Sequence, residues 1–184
     1  MCARNHTSKI GCVGVLALSI AVVTMPATMP AEEAGAAKPT PIRLAVFEFE
    51  LEDASPPAVL LGKITSGGDA LDAVTRTARG ELEKSGRYTL VDVSKVDAKP
   101  ATEKLLRECN GCEAGIALQL GAEQSLLGVV IRATETDYYL LIRIRDARTG
   151  KVLEQESANF AGSEEGWPSG VRMLIRHQVL TPRS

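Results

Sequence analysis

Cys109 and Cys112 stand three positions apart in "ECNGCEAGIALQLGAEQSLLGVV", residues 108–130. Thiols at that spacing can exchange electrons, hold half of a metal site, or close a small covalent loop. A redox pair of the thioredoxin kind needs its first thiolate at a helix N-terminus after a strand, where the dipole lowers the thiol pKa. Here the pair falls between two helical patterns, so Cys112 rather than Cys109 opens a helix. A structural zinc site needs four ligands. Beyond residue 31 the chain adds only His177 and no second cysteine pair, so a metal would have to draw on carboxylates or on a second chain. In an oxidising compartment the pair can reach disulfide distance, and the small ring contributes about 2 kcal/mol on the chain-entropy estimate. The expectation is a disulfide that fixes the turn between two helices. Thiol–disulfide exchange and metal handling by Cys109 and Cys112 remain the alternatives.

A second group is the carboxylate row in "IRLAVFEFELED" (42–53). In an uninterrupted strand Glu48, Glu50 and Glu52 share one face about 7 Å apart, with Asp53 close behind, and such oxygen clusters can hold a ligand or a hard cation. The end of a parallel strand is also where open α/β sheets place ligands. The plainer reading is a strand emerging into water, with Glu48 and Glu50 paired to Arg143 or Arg145. No loop follows that would wrap a calcium ion, so no metal is assigned.

Other chemistry is excluded by what the motifs lack. Gly62-Lys63-Ile64 has neither the upstream glycine nor the following hydroxyl of a phosphate loop, and no dinucleotide fingerprint follows a strand. His177 sits in a terminal helical pattern beside Arg176 and Gln178, with no serine elbow to complete a triad. No cofactor and no catalytic residue is expected. Trp167, before Pro168, and Tyr138 are the candidate partner contacts, although Trp167 equally suits an anchor at the start of the last helix. Arg143 and Arg145 are expected to form a solvated cross-strand ladder with Glu154 or Glu156.

These residues need a scaffold, and 184 residues with 45% hydrophobic content suit one domain plus an export segment. Only 4% aromatic residues and a net charge of -2 weigh against nucleic acid, which needs basic excess and stacking platforms. Arg4 and Lys9 precede an uncharged run, Ile10 to Val23, that is shorter than the roughly twenty residues of a membrane span. Residues 1–31 therefore read as a secretory signal, cut somewhere between 27 and 36, with no stable membrane span after its removal. That cut leaves 19 basic and 23 acidic side chains, a net of -4. Cys12 lies near the start of the apolar run, behind Lys9-Ile10-Gly11, and not at its end where a lipoprotein cysteine belongs. Residues 32–41 read as a flexible linker and 42–184 as a single α/β domain.

Within that domain, 42–53 reads as a strand buried on both faces and 54–67 as a loop around Pro56-Pro57. Leu71, Val74, Ala78 and Leu82 mark an amphipathic helix ending at Ser85-Gly86. "RYTLVDVS" is a second strand, "TEKLLREC" and "EAGIALQLGA" a helix pair, and "QSLLGVVIRATET", "YYLLIRIRDA" and "KVLEQESANF" a three-strand meander. "SGVRMLIRHQVL" closes as a helix. Strand-helix-strand at the front implies a right-handed parallel crossover and the meander implies antiparallel pairing. The fold class is α/β with a mixed sheet and helices packed on it.

The phrases "IRLAVFEFELED", "SGRYTLVDVS", "CNGCEAGIALQLGAEQSLLGVVIR", "IRDARTGKVL" and "WPSGVRML" resemble a family of exported bacterial proteins known only as a domain of unknown function, of the DUF3280/DUF2380 type. The resemblance implies export without an activity. Members of that kind occur in methylotrophic and related proteobacteria, some near quinoprotein alcohol dehydrogenase genes, which implies an accessory role in periplasmic oxidation. More remotely, "GRYTLVD", "LGAEQSLLGVV" and "DARTGKVL" are similar to the N-terminal domain of TolB and to curli-secretion-type envelope lipoproteins, which are assembly or interaction modules. The expectation is a periplasmic, non-enzymatic binding or assembly protein with an envelope protein as partner.

Overall fold

In the computed structural model, which describes residues 40–62, 67–95 and 105–181, the apolar run at 42–53 is two strands, not one. β1 (Ile42–Val46) and β2 (Glu50–Asp53) both lie parallel to β4 (Gln124–Arg132). Val46 pairs with Leu126 and Glu50 with Val129, so four steps on one strand face three on the other. The extra residue makes a bulge at 47–49 and reverses the side-chain alternation. Leu44 and Val46 point into the main core before it, Phe49 does so within it, and Leu51 packs against that core after it.

Three contacts hold the bulge. The Phe49 ring lies over Gly128 of β4, where a Cβ would come within 2.1 Å of the ring. Only glycine tolerates that approach. The Phe49 N–H donates to Thr75 Oγ1 at 3.0 Å, and the Arg79 guanidinium donates to the Val46 carbonyl at 2.9 Å. Both side chains come from α2 (Gly68–Lys84), the helix expected from the Leu71, Val74, Ala78 and Leu82 stripe.

The remaining strands are β3 (Tyr88–Val91), β5 (Asp137–Asp146) and β6 (Val152–Ala161). The sheet runs β3-β1-β4-β5-β6, with β2 also alongside β4; β3 and β4 are parallel to β1, while β5 and β6 continue antiparallel. It is the mixed α/β sheet that the element order predicts. α1 (Pro56–Leu61) precedes α2; α3 (Cys112–Gln119) precedes β4; α4 (Trp167–Leu174) follows β6 and continues as a π-helical turn, Ile175–Val179. α2 and α4 bury one face of the sheet against Leu82, Leu140, Ile142, Trp167 and Val171. α3 and a 3-10 turn at Leu106–Glu108 cover part of the other, around Ala45, Phe47, Ala117 and Leu127.

Some expectations are corrected. The segment 54–67 contains α1, which Pro56 and Pro57 open at positions where helices tolerate proline. No apolar stripe announces it, because Val59 and Leu60 are 71% and 82% exposed. The helix expected over "TEKLLREC" is, in its described part, only the 3-10 turn, and residues 101–104 lie outside the described residues. The signal at 1–31, Cys12 and residues 32–39 of the linker also lie outside them.

The two helices on the main face are clamped by Glu81. Its carboxylate takes Arg176 Nε at 2.6 Å and Nη2 at 3.1 Å, with Arg172 at 3.6 Å. Hydrogen bonding from Arg176 lowers the Glu81 pKa below its ordinary 4.5 despite opposing desolvation. A carboxyl lowered in the folded state adds stability above its unfolded pKa and loses it as pH falls through the folded value. Denaturation midpoints should therefore fall as the pH is taken down through the carboxylate range, and Glu81→Gln should flatten part of that slope. At neutral pH, Gly128→Ala should destabilise by about 1–3 kcal/mol through overpacking against Phe49. Part of that loss should return in Gly128→Ala/Phe49→Leu, measured by urea unfolding.

Candidate functional site

Strand order and helix placement together create a crevice. The chain leaving β1 reaches α2 on one face, whereas the chain leaving β3, its neighbour, reaches α3 on the other. The two connections cover opposite faces of the sheet, and the carboxyl ends of β1 and β3 lie between them, on the edge where open α/β sheets place ligands. A cleft of about 660 Å³ opens there. Val46, Phe47, Leu90, Val91 and Ile116 contribute its apolar lining, and Glu48, Arg79, Glu83 and Asp92 its charged part. The bulge itself forms one wall.

The carboxylate row does not survive the bulge as one face. Glu48 turns to Arg79 on α2 at 3.0 Å. Glu50 and Glu52 share the opposite face, where both meet Arg107. Glu50 accepts the N–H groups of Leu106 at 2.6 Å and Arg107 at 3.2 Å, together with the Arg107 guanidinium at 3.2 Å, so it caps the 3-10 turn. Asp53 lies on the main-core side of the sheet, accepting from the Ser55 N–H and hydroxyl and from Arg132. Burial acts to raise the Asp53 pKa, but the Ser55 hydrogen bonds and the Arg132 charge outweigh it and hold the carboxyl below its ordinary value. The inserted residue is the physical reason: one residue shifts every later side chain to the other face.

Cys109 and Cys112 lie together, with Cα atoms 5.7 Å apart, inside the span that a disulfide bridges. Between them Asn110 and Gly111 have φ values of 46° and 114°, a tight left-handed turn into α3. That turn sits on Arg145. Arg145 Nε donates to Glu113 Oε1 at 2.9 Å, Nη1 to the Gly150 carbonyl at 2.9 Å, and Nη2 to Asn110 Oδ1 at 3.4 Å. The expected ladder to Glu154 or Glu156 is thereby corrected, since those carboxylates are opposite Ile144 and Ile142 and point to the other side of the sheet. Arg143 instead donates to Gln155 at 2.9 Å.

The two aromatic partner contacts are also corrected. Trp167 is 0% and Tyr138 3% exposed, and their rings meet edge-on at 5.1 Å within the main core. Tyr138 stacks on Phe160 at 5.7 Å and donates its hydroxyl to the Glu135 carbonyl at 3.1 Å. Tyr139, on the other face, is the exposed ring at 44%. His177 is exposed on the terminal turn and lines none of these features.

Sequence reasoning missed Arg79, Glu113 and the role of Arg145. Thr75 and Arg79 are one turn apart on α2, a spacing that could have marked a polar edge facing the strand. Glu113 could have been noticed as the carboxylate next to a thiol. Removing one member of a buried ion pair leaves an uncompensated charge, so Arg145→Met should cost about 3–5 kcal/mol. The double variant Glu113→Gln/Arg145→Met should recover at least half of that cost, as read by chemical denaturation.

Comparison with known proteins gives a few partial likenesses and a family. No curated protein matches the chain. Among solved structures it is similar to the LpoB C-terminal domain from Escherichia coli, at 21% identity over 71% of this chain and 89% of that one, with a TM-score of 0.46. It is similar to lipoprotein GNA1162 from Neisseria meningitidis, at 15% identity over 78% and 100% of the two chains, with a TM-score of 0.49. TolB from Acinetobacter baumannii, the remote likeness expected from the sequence, matches at 15% identity over 76% of this chain and 28% of that one, with a TM-score of 0.44. Residues 42–179 match the family described as "Protein of unknown function (DUF2380)", and the chain belongs to it.

Proposed function

We propose that this protein is an exported, non-enzymatic accessory protein of the bacterial envelope that holds a segment of a protein partner in the cleft at the end of β1. The observation that carries the reading is the cleft's composition at the ends of β1 and β3: an apolar lining, acidic groups beside it, and no histidine or cysteine among the residues that form it. Its Ser94 hydroxyl is committed to Asp92 at 2.6 Å, and Glu48 is paired with Arg79. Such a surface favours binding over bond-making. Glu83 has no ion-pair partner among the described residues, and it favours a basic side chain next to an apolar anchor in the bound segment.

Export is supported by the charged start and the short apolar run of the N-terminal sequence. Among the described residues no helix is long and apolar enough to cross a membrane. The finer reading, taken from the family resemblance, is service to a periplasmic quinoprotein dehydrogenase.

Affinity capture of the protein from its own envelope tests both levels. The wild type should recover one dehydrogenase or its cytochrome. Glu83→Arg reverses the free charge and Val93→Trp fills the cleft, so each should lower that recovery at least tenfold while melting near the wild-type temperature. Equal recovery by wild type and both variants would sink the cleft reading, and recovery of an unrelated partner that the variants lose would sink only the quinoprotein part.

A further inference from the structure

The cysteine turn holds acceptors that a disulfide cannot use. Glu113 follows Cys112 in the first turn of α3 and is 1% exposed. Its Oε1 is engaged by Arg145, whereas Oε2 has no hydrogen-bond partner among the described residues. A carboxylate oxygen of Glu113 lies within 4.8 Å of both sulfurs. The Leu106 carbonyl, 3.1 Å from Cys109 Sγ, already accepts the Cys109 N–H at 3.3 Å and keeps a second lone pair, so the acceptor left without a donor is Glu113 Oε2. Oxidised sulfurs carry no proton for either oxygen. Two thiols would supply one S–H to each.

A buried acceptor without a donor weighs against the state that leaves it so, on the order of tenfold for a modest case. The surroundings of the pair therefore favour the dithiol relative to a disulfide in neutral apolar packing. A disulfide whose reduced form is stabilised is an oxidant. Access fits that role, since Cys112 is exposed and Cys109 is half-buried behind it.

We propose that Cys109 and Cys112 form an exchangeable disulfide that oxidises the dithiol of a partner protein, and that Glu113 is the positioning residue that stabilises the reduced product. A partner thiolate attacks the exposed Cys112 Sγ; the sulfur–sulfur bond breaks and Cys109 leaves with the electron pair. The partner's second sulfur then attacks the first, expelling Cys112 and closing the partner's own disulfide. Two electrons pass to this chain, and the two protons given up by the partner's thiols are matched by the two that its cysteines take up. The S–H groups then find the Leu106 carbonyl and Glu113. The exchange uses residues of the α3 turn and stands apart from the β1 cleft, so either can fail without the other.

Equilibration of the exported protein in mixtures of reduced and oxidised glutathione, followed by alkylation and mass measurement, tests it. Wild type should pass from disulfide to dithiol within the glutathione range. Glu113→Gln keeps an amide oxygen for Arg145 but turns an NH2, which cannot accept an S–H, towards the sulfurs. Its midpoint should require about tenfold more reducing mixtures, read at a temperature where circular dichroism shows the variant folded, since loss of the Glu113 charge beside Arg145 also lowers stability. A wild-type bond that stays intact through the whole range overturns the proposal, as does a midpoint in Glu113→Gln within twofold of wild type. If that variant does not fold, the wild-type midpoint decides alone: inside the range it supports the exchange, outside it the proposal fails.

Discussion

One extra residue between Val46 and Glu50 organises much of this fold. A parallel strand that is buried on two sides cannot slip without exposing its apolar set, so the insertion must be absorbed locally as a bulge. Phe49 is the residue that absorbs it, because its ring finds room only over a strand position with no side chain, Gly128. Its amide would be left without a partner in the sheet, and Thr75 supplies the missing acceptor from α2. The bulge thus fixes where α2 sits, and α2 in turn forms one side of the cleft. Geometry at the strand end and location of the cleft are consequences of the same local event.

Charge has a similar organising role, although not the one a row of glutamates suggests. Glu50 caps the turn at Leu106–Glu108, Asp53 ties β2 to Arg132, Glu81 joins α2 to α4, and Glu113 anchors α3 to β5 through Arg145. Each carboxylate is shared between two elements distant in sequence. Pairs of this kind are costly to bury and more costly to break on one side, so they specify which element docks where more than they add to stability. Glu113 differs from the others because one of its oxygens is left over. A carboxylate oxygen of Glu113 also lies within 4.8 Å of both sulfurs, so this ion pair adjoins the cysteine turn.

Several elements are legible in the order of residues alone. The period of Leu71, Val74, Ala78 and Leu82 marks α2, and alternation with turn residues marks the meander from β4 to β6, because local periodicity reports which side of an element is buried. α1 escapes because it buries little. The split of the first strand escapes for a different reason: "LAVFEF" is apolar on both faces, so a change in alternation leaves no trace in hydrophobicity. The partner contacts assigned to Trp167 and Tyr138 fail because an aromatic residue at a segment boundary reads alike whether it faces water or the core.

What the chain's own order of residues determined is the class of fold: which segments are helices and strands, that the front crosses over in parallel and the back folds on itself, and that two cysteines meet at a turn. These follow from interactions between residues close in sequence, where spacing is information enough. Tertiary structure alone decided which face each glutamate occupies, that Arg145 turns to Glu113 and not to Glu154 or Glu156, and that a cleft opens between β1 and β3. Those outcomes depend on register between strands and on the volume of a ring against a glycine far along the chain, quantities that no local pattern carries.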